Sequence, residues 1–158
     1  MGYQAAHHHL PVRAGLSRWV VVGFIAGFLS VLIFHQGAVA LLHALDITPR
    51  APFSLQPTRP LGVPAVTSIA FWGGIWGVLL AATFARLDGA RLVVAATIFG
   101  AVFPTLIAWF VVAPLKGQPV AAGFAPAAMM IGPIVNAAWG LGTGIGLALF
   151  GRSRLVRS

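Results

Sequence analysis

His35 and Gln36 stand side by side inside RWVVVGFIAGFLSVLIFHQGAVALLHAL, residues 18–45, an otherwise apolar run. An imidazole can ligate a metal, relay a proton or hydrogen-bond between helices. Polar side chains in hydrocarbon are costly without partners, so such a pair is a pointer to function. Trp72, Thr105 and Asn136 have the type and depth to join it. Counted inward from the outer end of each apolar run at about 1.5 Å per residue, His35 lies about 15 Å in, Thr105 and Asn136 about 14 Å and Trp72 about 11 Å. His35, Gln36, Trp72, Thr105 and Asn136 are thus expected to form one polar intramembrane layer. Two readings are open. The layer is a small binding or conduction site in the outer half of the membrane, or a neutral His35 bonds Asn136 or Thr105 and sets helix register.

Other chemistry is poorly supplied. The acidic residues are Asp46 and Asp88, at opposite membrane faces, so one chain offers no acid/base pair, carboxylate metal cage or proton relay. Ser and His occur without the neighbouring acid that would orient a triad. There is no cysteine, hence no disulfide, thiolate metal site, iron–sulfur cluster or cysteine nucleophile. Haem ligation by two histidines of one chain is disfavoured, because His35 and His43 are about 12 Å apart along one helix. His43 with Met129, or a haem shared with a partner subunit, remains as an alternative. His7, His8 and His9 are adjacent and do not define a coordination sphere. We expect no metal, no cofactor and no enzymatic activity.

The elements that must position these residues are membrane spans. Hydrophobic residues make up 59% of the 158-residue chain and charged ones 8%, with a mean hydropathy of +0.94, outside the soluble norm. A net charge of +8 would raise nucleic acid in a soluble domain; here the basic residues lie in tails and connections, where they fix topology and meet lipid head groups. The pattern predicts an all-α membrane protein, a four-transmembrane-helix bundle over residues 18–150, with helices at about 18–45, 65–86, 91–114 and 127–150. Residues 1–17 and 151–158 are basic tails. The first run is too long for a signal peptide's apolar region and is read as a retained anchor. Ala6 breaks the myristoylation pattern of the Met-Gly start.

Between the first two helices, residues 46–64 carry Pro49, Pro52, Pro57, Pro60 and Pro64, which predicts an extended, stiffened loop. Phe53 and Leu55 would let it lie on the membrane surface as a cap over the helix ends; the other reading is a plain spacer. The tight turn over residues 86–91 predicts that helices two and three form an antiparallel hairpin. Pro104 predicts a kink, with the Thr105 hydroxyl helping to satisfy the freed carbonyl. Gly73, Gly77, Gly140, Gly142, Gly144 and Gly146 are the expected helix-packing residues, because small side chains let backbones approach in lipid. Arg13, Arg18, Arg86, Arg91, Arg152, Arg154 and Arg157 fall on one side, against Arg50, Arg59 and Lys116 on the other. That asymmetry predicts both termini in the cytoplasm.

The FHQG step, the LGVPA approach to helix two, FWGGIWG and NAAWGLGTG together resemble small, uncharacterised four-helix inner-membrane proteins of proteobacteria. The resemblance covers most of residues 18–150 and implies a multi-pass inner-membrane location; it assigns no activity, substrate or ligand. The expected function is a non-enzymatic accessory, assembly or structural subunit, associating with itself or with other membrane subunits and in contact with lipid but not nucleic acid. The alternative is a small transporter or channel, working as a homo-oligomer lined by His35, Gln36 and Asn136.

Overall fold

A computed structural model describes residues 12–151, with side chains from Arg18 onward. The His7–His9 triplet and the arginines at 152, 154 and 157 lie outside the described residues. Among the described residues four helical spans are long and apolar enough to cross a membrane: Arg18–Ala44, Ala65–Thr83, Gly89–Leu115 and Pro126–Phe150. The chain is a multi-pass, all-α membrane protein. The first span consists of α1 (Val12–Ser30), a π-helical turn (Val31–His35) and α2 (Gln36–Ala44). α1 therefore begins inside the segment read as a tail. A two-residue hairpin, β1 (Pro57–Thr58) with β2 (Val63–Pro64), leads into the second span, α3 (Ala65–Thr83). The third span comprises α4 (Gly89–Ile107), a second π turn (Ala108–Val112) and the short α5 (Ala113–Leu115), and the fourth is α6 (Pro126–Phe150).

Glycine determines which helices pair. On α1, Gly23 and Gly27 face Gly73 and Gly77 of α3, so closely that a Cβ on any of the four would meet the other helix's backbone or Val31. The Trp19 indole N–H extends the contact with a 2.5 Å hydrogen bond to the Ala81 carbonyl. α4 and α6 meet in the same way: Gly100 lies against the Asn136 carbonyl and Gly140, and Gly140 and Gly144 against Ala96 and Val93. α1 and α6 close the bundle, with Gly142 under Phe34 and Ser30 and Gly146 against Ala26. Each packing glycine named from sequence thus sits in a helix–helix contact. Water exclusion supplies no force between helices in lipid, so close contact of this kind carries the assembly.

Helices two and three follow each other through the expected short turn but are not each other's main packing partners. α3 packs mainly on α1 and α4 mainly on α6, with few contacts between α3 and α4. The turn makes them antiparallel, but bulky side chains hold their backbones apart. Phe99 of α4 meets Trp76 and Phe84 edge-on, both with ring centroids 5.8 Å away. Pro104 lies inside α4, which runs on to Ile107 before the π turn opens four residues after it.

Helix register controls the half of the bundle that holds His35. Val31 lies on Gly73, Gly27 between Gly73 and Gly77, and Gly23 on Gly77 and Ala81. Continued outward, this sets His35 and Gln36 level with the first turn of α3. The start of α3 at Ala65 then falls level with Val39, and the last five residues of α2 rise about 8 Å above it at 1.5 Å per residue. The Pro-rich segment descends alongside α2 to reach that start. Its Ser54 and Gln56 carbonyls accept the N–H groups of Val66 (3.0 Å) and Ala65 (2.9 Å), capping α3 where Pro64 supplies no side-chain cap.

Candidate functional site

Span one delivers His35 and Gln36 at the end of its π turn. Such turns insert one residue and re-aim the helix beyond them, and they recur at functional sites. Past the turn, α2 packs against α6 through Val39 and Leu42 on Val135 and Ile131. His35 and Gln36 are both buried. The Gln36 amide sits 3.4 Å from His35 Nδ1, and its oxygen accepts the Phe53 backbone N–H at 2.7 Å. Gln36 thus ties the π turn to the Pro-rich segment folded over it.

Thr105 and Asn136 form a separate pair, the Asn136 amide donating to the Thr105 hydroxyl at 2.9 Å between α4 and α6. The expected bond from His35 to Asn136 or Thr105 is corrected: the His35 hydrogen bond is to its chain neighbour. The Thr105 hydroxyl likewise takes Asn136 as its partner. Trp72 is not brought to the layer. It is 59% exposed and meets Phe71 edge-on, because Gly73 and Gly77 claim the inward face of α3 and rotate Trp72 outward. His43 faces away from the core, with Nδ1 3.0 Å from the Thr48 carbonyl. Among the described residues no three metal-binding side chains converge.

A more deeply buried network centres on Trp139, which sequence reasoning placed in helix four without a role. Its indole N–H donates to the Gly27 carbonyl at 2.9 Å. Its own carbonyl accepts the hydroxyls of Ser30 (2.6 Å) and Thr143 (2.8 Å). Gly23, Gly27, Ser30 and Phe34 recur at helical spacing along span one, and that small-residue face was the signal available for it.

The arrangement holds helices together. Every fully buried polar side-chain atom has a partner among the described residues, and the glycine contacts bring backbones together at the centre. Shallow grooves lie instead along the outside of the third span. One is lined by Ala90, Arg91, Val94, Ala95 and Ile98, another by Ala101, Val102, Thr105, Leu106, Trp109 and Pro133. No protein-family model, curated protein or solved structure matches the chain.

Gln36→Leu is expected to cost about 1–2 kcal/mol, because the Phe53 N–H loses its acceptor in a partly buried place. His35→Leu should cost less, since its longer bond to the adjacent residue is replaced by apolar contact. Chemical denaturation in mild detergent would check the order, and equal losses would refute it.

Proposed function

We propose that this chain is a non-enzymatic subunit of an inner membrane, with both termini in the cytoplasm, whose third span docks on a second copy or on another membrane protein. The supporting observation is the uneven burial of the four spans. In its most apolar window the third span is 17% buried within the chain, whereas the other three are each 39% buried. Val94, Ile98, Val102 and Leu106 are exposed at helical spacing, beside the small side chains of Ala90, Ala95 and Ala101 that floor the grooves. Small residues flanked by larger apolar ones suit close approach of another helix, since association in lipid depends on contact.

A photo-crosslinking residue at Ile98 tests this in native membranes, with Ile25 on the exposed side of span one as reference. The expected result is one defined protein adduct from Ile98 and none from Ile25. An adduct of twice the chain's mass assigns the face to a second copy, and a heterologous adduct assigns it to another subunit. Reaction at Ile98 with lipid alone would overturn the proposal.

A further inference from the structure

We infer that the Pro-rich segment enters the outer leaflet of the membrane, with Phe53 and Leu55 in contact with lipid acyl chains. The helix ends carry the first part of the argument. Lys116 follows the outer end of the third span, and Pro126 starts the fourth. The α2–α6 contacts of Val39 and Leu42 with Val135 and Ile131 set the start of α6 near the end of α2. Three spans therefore reach the same outer level, with 27, 27 and 25 residues, whereas the second span has 19. At the inner side they are nearly flush, as the bonded pair Trp19–Ala81 and the contact of Gly151 with Trp19 show. The missing outer part of span two, about 8–12 Å of helix, is occupied by the segment between spans one and two.

Backbone at such a depth is tolerated only where its polar groups are satisfied or covered by protein. Two features of this segment lower the number of its backbone donors left open. Prolines at 49, 52, 57, 60 and 64 remove five N–H donors. Phe53, Gly62, Ala65 and Val66 donate to Gln36, Thr58, Gln56 and Ser54 respectively, and the Gln56 N–H reaches the Ser54 hydroxyl.

The side chains point the same way. Phe53 is 51% and Leu55 73% exposed, at the level of the first turn of α3 set by the Ser54–Val66 bond. They continue the apolar exposed belt of the bundle, to which Phe71 and Trp72 of α3 belong. Arg50 and Arg59 are also exposed, and their long stems let the guanidinium groups reach head groups from below. The Gln36 bond to Phe53 is the tether that holds the segment down.

The chain contains no cysteine, so single cysteines report cleanly. Phe53→Cys and Leu55→Cys would be spin-labelled and placed in phosphatidylcholine–phosphatidylglycerol vesicles. Collision rates with oxygen, which concentrates in the acyl region, and with a water-soluble nickel chelate then give depth. Ile33→Cys on the exposed side of span one serves as the lipid reference and Gln118→Cys in an outer turn as the aqueous one. The expected oxygen-to-nickel ratio at both test positions lies close to that of Ile33→Cys. A ratio matching Gln118→Cys at either position overturns the inference, and circular dichroism of the same labelled samples identifies any variant that has not folded. Failure here leaves the crosslinking result at Ile98 untouched, because the two tests read different surfaces.

Discussion

Gly77→Leu is expected to destabilise the folded bundle by about 3 kcal/mol, at the upper end of the range for overpacking. A Cβ at this position would run into the Gly23 carbonyl and lie 3.0 Å from the Gly27 Cα. Both obstacles are backbone, so no rotamer change relieves them, and α1 and α3 must move apart. Separation would also lengthen the Trp19–Ala81 bond and strip dispersion contacts along the whole seam. Gly142→Leu should cost less, because its obstacles are the Phe34 ring and the Ser30 hydroxyl, side chains able to turn. Gly37→Leu is the control. Nothing lies within 4 Å of its Cβ position, and replacing glycine in a helix interior gains up to about 1 kcal/mol of propensity. Unfolding in mixed micelles followed by circular dichroism would rank the three. If Gly77→Leu resembled Gly37→Leu, the α1–α3 seam would not be the contact that holds these helices.

Much of this architecture is legible from composition, because a bilayer imposes lengths. A run such as residues 91–114 has few alternatives to a spanning helix, and the observed Gly89–Leu115 departs from it only at the ends. Glycine spacing likewise identified Gly73, Gly77, Gly140 and Gly144 as contact residues. Which glycine meets which is another matter. Gly73 and Gly77 could face any neighbour, and the short turn at 86–91 pointed to α4. The partner is α1 because Gly23 and Gly27 offer backbone, whereas Phe99 on α4 offers a ring.

The polar layer was read less well for a related reason. Depth counted from each helix's own end assumes that all spans end at one level, and α3 begins well below the others. His35 therefore meets the Pro-rich segment through Gln36 instead of the middle of a four-helix interior. Trp72 lies about one turn deeper than His35, since Val31 is the residue that rests on Gly73, and its rotation toward the outside is something depth alone does not report. Asn136 and Thr105 do pair, since their helices are joined by the close Gly100–Gly140 contact.

Trp139 gives the second large effect. Its side chain is 2% exposed and lies where α1, α3 and α6 converge, with its indole nitrogen 3.2 Å from where a Gly73 Cβ would stand. Trp139→Ala is expected to cost about 3 kcal/mol, the lower end of the range for truncating a buried tryptophan. The lower end applies because the unfolded chain remains in lipid, so the penalty comes from the cavity and the lost bond to Gly27 rather than from exposure to water. Trp139→Phe separates these two contributions. It fills most of the space and removes only the indole N–H, leaving the Gly27 carbonyl in its helix, so its loss should be about 1 kcal/mol. Equal losses for the two variants would make the hydrogen bond, and not the packed volume, the reason Trp139 joins the three helices. A negligible loss for Trp139→Phe beside a large one for Trp139→Ala would assign the junction to shape alone. In that case the hydroxyl of Ser30, which bonds the Trp139 main-chain carbonyl and not its ring, would account for the remaining polar attachment of α6 to span one at this point.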